Sequence, residues 1–491
     1  MSSDFTPAPA SATPHPDPAK PRIEASDKIP ILQKLTFSLG MNTEYVATGL
    51  MTGVLWMPFF NIGMGISPTL LGIALMILRA WDSITDPFIG NLSDNTRTRW
   101  GRRRPFMFVG AIMTGLLYPL FWYMPDGLSE TMKVVYLVGV GIVFFTSFTV
   151  WAMPYYGLQL ELTPNYDERT RLSSWMALFS KISALGGGWI LALATGSLFI
   201  NAQTGEGDIV LGMQTLSWFI GGGIMLFGIL PAIFVKERYY EKEATANQPK
   251  QRFFQSIKES GSNRPLWSLI GISFFLVLGT MSIATLNQYL NIYYVYGGDL
   301  AAASILAGWR MTAIVVTGIV MIPLGAWLAE RFDKKAMVIA MLVMGIIGVE
   351  LNYFLMRPDM PHLQLIAAVL EMGAYSAMWL FLPSMKADIA DHDELHTARR
   401  REGSINSFYS WFIKLSLTFA MGIGGVMLDI SGFDSKIGAQ PPEVIDRMFK
   451  LYLSLPIVIW GTAIVIAFTY PLNRKKMAEV RETLEARRGK L

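Results

Sequence analysis

Cysteine is absent from this 491-residue chain, and histidine occurs only four times. The first absence excludes disulfides, thiolate metal sites and cysteine nucleophiles. His15 sits in a polar tail and His362, His392 and His396 near predicted loops, so a His-ligated metal centre is not expected. Charge is scarce as well. Charged residues make up 16% of the chain, against about 25% in soluble proteins. With 52% hydrophobic residues and a mean hydropathy of +0.37, the composition is that of an integral membrane protein. The net charge of +4 is small. It clusters in short loops, which points to topology and anionic lipid and away from nucleic acid. Residues 1–29 hold Pro, Ala, Ser and charge but no apolar core, so they are expected to be a disordered cytoplasmic tail, not a signal peptide.

What the chain does have is long apolar runs. Stretches able to span a bilayer recur at 35–61, 68–93, 105–124, 132–160, 172–200 and 209–235, then at 265–296, 301–329, 336–356, 363–389, 404–430 and 448–472. A charged linker over 236–264 divides them. The reading is an all-α membrane protein of twelve spans in two six-helix halves, 30–235 and 265–472, with a C-terminal cytoplasmic tail over 473–491. Loop charge sets the orientation. Arg97, Arg99 and Arg102 to Arg104 follow the second run; Arg169 and Arg171 follow the fourth. Arg331, Lys334 and Lys335 follow the eighth, and Arg399, Arg400 and Arg401 the tenth. The positive-inside rule then places both termini in the cytoplasm. The halves echo each other, since Gly90-Asn-Leu-Ser-Asp94 and its basic loop answer Gly325-Ala-Trp-Leu-Ala-Glu330 and the residues after it. Two such repeats are the layout of the major facilitator fold, with the substrate site between the halves at mid-depth. The expected location is the inner (plasma) membrane, and a monomer is the default for this architecture.

The most informative segment runs from Arg79 to Pro105. Asp82 and Asp86 lie four apart in an apolar run, so a helix places both carboxylates on one face, about 6 Å apart along its axis. Each unpaired acid at mid-bilayer would cost roughly 2.5–3.5 kcal/mol on insertion scales. Such acids normally face an internal cavity and bind something positive there, as a coupled transporter requires. Pro87 supplies no N–H to the carbonyl of Ser83, which leaves an oxygen free beside the pair.

The block Arg79-Ala-Trp-Asp82-Ser-Ile-Thr-Asp86-Pro-Phe-Ile-Gly, followed by Thr-Arg-Trp-Gly-Arg-Arg-Arg-Pro105, resembles the glycoside–pentoside–hexuronide:cation symporters. Met153-Pro154, Asp167-Glu-Arg169, Trp379, Ala387-Asp-Ile-Ala-Asp391 and Arg401-Glu-Gly-Ser-Ile-Asn406 leading to Lys414 fall in register with it. The resemblance implies that Asp82 and Asp86 hold the coupling Na⁺ or H⁺, that Thr85 and Thr149 add hydroxyl oxygens, and that Lys414 sits beside the acids. No cofactor is implied beyond that cation. It also implies a sugar site, for which Trp379 is retained as a stacking ring and Tyr156 stands where the family has tryptophan. The family's helix-four acid and helix-five arginine fall on Ala152 and Ala177, and its helix-one acid falls near Tyr45 or Val46, with Glu44 adjacent. A galactoside held in the family's manner is therefore not expected. If Lys181 and Arg310 face the cavity, they would favour an acidic sugar. Arg102, Arg103, Asp94 and Arg169 are the expected gating residues at the basic end.

The bland alternatives are structural ion pairs for Asp82 and Asp86 with Lys414 or Arg79, mutual pairing of Glu44, Lys181, Arg310, Glu350 and Glu371, and lipid-facing or packing roles for Trp379 and Tyr156. A symporter of lysolipids or other amphiphiles is the runner-up function. A membrane-embedded enzyme would need a nucleophile–base or metal set at depth, and the chain lacks cysteine and places no histidine there.

Overall fold

The computed structural model describes residues 28–163, 166–201, 205, 207–237, 261, 263–397 and 402–488. The expected tail over 1–27, most of the linker (238–260), residues 489–491 and the basic group Arg399, Arg400 and Arg401 lie outside them. Apart from one isolated bridge between Ile200 and Gly207, the described secondary structure is helical.

The chain enters in α1 (Ile31–Glu44), which continues through π-helical turns at Tyr45–Leu55 and Pro58–Gly63, and turns back in α2 (Pro68–Asn95). Pro68 suits a helix start because the first N–H would lack an intrahelical partner anyway. After α2 the backbone reverses at Gly101, whose φ of 111° is open to glycine. Next come α3 (Arg104–Leu117), α4 (Glu130–Glu161), α5 (Tyr166–Ala194) and α6 (Ile209–Phe234). The second half comprises α7 (Arg264–Leu290), α8 (Leu300–Arg331), α9 (Lys334–Leu355), α10 (Gln364–Ser376), a π-helical turn at Ala377–Phe381, α11 (Leu382–Thr397), α12 (Glu402–Ser431) and α13 (Pro442–Thr469). A polar helix, α14 (Arg474–Arg488), occupies the expected C-terminal tail. Side-chain caps mark several starts: Ser129, Asp208, Asn263, Asp299 and Asp333 each accept from the first-turn N–H groups of the helix they precede.

Ten helical rods among the described residues are long and apolar enough to cross a bilayer. The α2 rod is not one of them, because Arg79, Asp82 and Asp86 dilute its apolarity. In the first half α3 packs on α4 and α6, α2 on α4, and α1 on α5 and α6. In the second, α7 packs on α12 and α13, α9 on α10 and α13, and α8 on α10. The halves meet along α2 with α12 and α5 with α8. The first seam is tight enough to need glycine: a Cβ on Gly72 would stand 3.1 Å from the carbonyl oxygens of Met421 and Gly422.

This contact is uneven along the bundle. Among the described residues, most hydrogen bonds that cross between halves gather toward the end opposite the basic loops. Thr69 N–H and the Ser67 hydroxyl donate to Asp429, Tyr289 to Asn61, Gln288 to the Val54 carbonyl and Trp189 to Thr312. Near the basic loops, the ion pairs of Arg103 with Asp94 and of Lys334 with Asp388 each lie within one half.

Candidate cation site and central cavity

The α2 helix delivers Asp82 and Asp86 to the same side chain. Thr149 of α4 lies with its hydroxyl 3.1 Å from Asp82 Oδ1 and 3.3 Å from Asp86 Oδ1. One turn away, Trp81 donates from its indole N–H to Thr146 at 2.9 Å, which fixes the register of α2 against α4. Lys414 reaches across from α12 and forms an ion pair with Asp86. Arg79 lies 3.6 Å from the other oxygen of Asp82, and its guanidinium carbon stands 5.4 Å from the centre of the Phe145 ring. The site therefore holds two acids, a shared hydroxyl and a cation from each half. The Asp82 and Asp86 side chains are 15% and 9% exposed, whereas Lys414 is 40% exposed.

Of the expected cation ligands, Asp82, Asp86, Thr149 and Lys414 come together. Thr85 stands apart in its bonding, with its hydroxyl 3.2 Å from the backbone carbonyls of Trp81 and Asp82. Glu44 of α1 lies within hydrogen-bonding reach of Tyr156 and close enough to Arg79 to attract it. Tyr156 thus joins the acid cluster from α4. Tyr45 packs over Gly187 of α5 and sits near Tyr375 from the other half.

Arg310 belongs to a second buried polar group. It pairs with Glu371, which also accepts from Asn352 Nδ2 at 3.0 Å and from the Tyr452 hydroxyl at 3.3 Å. Asn287 adds a bond to Tyr452 at 3.2 Å. Three helices of the second half, α8, α9 and α13, thereby send donors to one carboxylate on α10. Lys181 lies at the α5–α8 seam, where a Cβ on Gly318 would come within 2.8 Å of its ammonium. Trp379 projects from the π-helical turn with 73% of its surface exposed.

At the basic end, Arg103 pairs with both Asp94 and Glu161 at 2.8 Å, and Arg102 pairs with Glu161. Arg169 donates to the Thr163 carbonyl at 2.7 Å. Glu168 pairs with Lys34 at 2.5 Å and lies 3.6 Å from Arg171. Sequence reasoning did not pick out Glu161, Glu237 or Tyr375. Glu237 accepts from the backbone N–H groups of Arg102, Arg103 and Arg104 and so caps α3. Its only signal was an acid at the edge of the charged linker.

Residues 38–474 match the MFS/sugar transport protein family. The chain belongs to that family, and its resemblance to the glycoside–pentoside–hexuronide:cation symporters stands. It is 27% identical to the uncharacterized symporter sll1374 of Synechocystis, over 94% of this chain and 98% of the relative. It is 23% identical to sodium-dependent lysophosphatidylcholine symporter 1 of Gallus gallus, over 94% and 91%. The isoprimeverose transporter of Lactiplantibacillus pentosus is 24% identical, over 89% and 87%. Among solved structures, a bacterial homologue of the lysosomal transporter Spinster superposes with a TM-score of 0.62 over 92% of this chain and 97% of that one, at 13% identity. The chain is a helical, multi-pass membrane transporter of the major facilitator fold.

Proposed function

We propose that the protein is a secondary symporter that uses Na⁺ or H⁺ to drive uptake of a sugar or glycoside by alternating access. It works as a monomer of twelve spans in the inner membrane, with both termini cytoplasmic. One observation carries this reading: Thr149 bridges Asp82 and Asp86 within one half while Lys414 of the other half holds Asp86. The carboxylate and hydroxyl oxygens form a hard donor set that fits a small cation. A cation entering it competes with Lys414 for the same negative charge. Occupancy of the ion site is thus tied to a contact between the halves, which is where the substrate binds. Linkage requires that the cation and the substrate then raise each other's affinity by the same factor.

Trp379 offers its face to the C–H side of a sugar ring. Tyr156, Tyr45 and Glu44 are the first half's candidate substrate contacts, and Lys181 supplies positive charge that suits an acidic sugar, while the charge of Arg310 is met by Glu371. Arg102, Arg103, Asp94 and Arg169 are the proposed cytoplasmic gate. Relatives named for isoprimeverose and for glycosides support a sugar as cargo. The relatives named for lysophosphatidylcholine sustain the second reading, an amphiphile symporter. The test is uptake into proteoliposomes, with labelled glycosides, hexuronides and lysophosphatidylcholine crossed against Na⁺ and pH gradients. Gradient-driven accumulation of a glycoside or hexuronide is expected. Accumulation of lysophosphatidylcholine alone would overturn the sugar reading, and no gradient-driven uptake of any of them would overturn symport.

A further inference from the structure

The N-terminus of α2 is capped from the other half of the molecule. Ser67 occupies the cap position, yet its hydroxyl does not bond to the first turn of its own helix. It donates instead to Asp429 Oδ2 at 3.1 Å, and Thr69 N–H donates to the same oxygen at 3.1 Å. Asp429 lies near the C-terminal end of α12, two residues before Ser431. Its carboxylate therefore satisfies one of the N–H groups that a helix start leaves free and sits at the positive end of the α2 dipole. Glu130 holds the Ser67 N–H at 2.7 Å from within the first half, so the turn before α2 is already positioned when Asp429 arrives. Just below, the glycine seam between Gly72 and Gly422 lets the two backbones approach.

We propose that Asp429 is the latch of the external gate: a gating residue that closes the extracellular end by capping α2 in trans, and that must release for the outward-open state to form. This inference rests on the alternating-access reading. Hydrogen bonds to a charged group are worth more than neutral ones, but this one is exposed. A tenfold change in the ratio of closed to open extracellular ends on its removal is a reasonable expectation, equivalent to about 1.4 kcal/mol. Because Asp429 is exposed, its replacement leaves the packed core untouched.

The chain has no cysteine, so introduced labels are unique. Spin labels at Thr131→Cys at the start of α4 and Ile437→Cys between α12 and α13, both exposed sites at this end, report its opening by double electron–electron resonance in nanodiscs. In Asp429→Ala the long-distance population should grow about tenfold relative to the short one. In Ser67→Ala, which removes one of the two bonds, it should grow less, by roughly threefold. Two populations whose ratio neither substitution moves would overturn the latch while leaving alternating access in place. A single short distance in both proteins, under every cation and substrate condition, would overturn alternating access and the latch with it.

Discussion

Thr149 is the residue at which the cation site can be tested with least disturbance. Its hydroxyl lies 3.1 Å from one carboxylate and 3.3 Å from the other, and a hydroxyl has one proton to give. The two contacts therefore count as one charge-assisted hydrogen bond, about 1.5–3 kcal/mol for a buried partner. Thr149 is 1% exposed, so water will not replace it. Substitution Thr149→Val keeps the shape and removes the oxygen, which also deletes one ligand for a bound metal cation. The Na⁺ concentration for half-maximal uptake should rise between about tenfold and a hundredfold. Thr149→Ser keeps the oxygen and should stay within about threefold. The assay is Na⁺-activated uptake in proteoliposomes at fixed pH, with equilibrium binding of ²²Na⁺ as an independent readout. A proton needs only a carboxylate oxygen, so H⁺-driven uptake should survive Thr149→Val. Should the valine variant show Na⁺ activation and ²²Na⁺ binding indistinguishable from the parent, the shared-hydroxyl reasoning is wrong.

Three further outcomes are expected. Asp86→Asn should abolish cation-driven accumulation while preserving substrate exchange measured by counterflow; concentrative uptake in that variant would refute the coupling role of Asp86. Arg310→Gln leaves the buried Glu371 carboxylate, 7% exposed, without its countercharge, a loss of about 3–5 kcal/mol. Thermal unfolding in detergent should reveal it, and Arg310→Met combined with Glu371→Met should recover most of the loss; a Tm unchanged within about 1 °C in Arg310→Gln would argue against a stabilising pair. Trp379→Ala should weaken sugar binding by roughly five- to tenfold and Trp379→Phe much less, as ring stacking worth about 1 kcal/mol requires; equal affinities in competition uptake would place Trp379 outside the site.

Much of this molecule was legible in one dimension. The spacing of Asp82 and Asp86 fixes a shared helical face, because side chains four residues apart align on any α-helix. The apolar runs forecast the rods, because a bilayer leaves the backbone no partner but itself. The resemblance placed Thr149 and Lys414 beside the acids, and the structure brings them there. Other residues could not be ranked from sequence. Arg79 belonged to the recognised motif, yet its position between Asp82 and Glu44 depends on how α1 packs near α2. Arg310 and Glu371 lie far apart in the chain and meet only because α8 and α10 are neighbours.

Local periodicity and composition, then, determined that the chain crosses a membrane, where its helices run and which acids share a face, since each of these follows from rules acting over a few residues. The tertiary fold alone decided which charges pair, that Glu371 gathers donors from several helices, that Arg169 bonds Thr163 while Arg103 takes Asp94 and Glu161, and that Asp429 caps a helix of the opposite half. Those partners are set by the packing of distant segments, and an ion pair or a cap depends on a separation of a few ångströms that spacing along the chain does not encode.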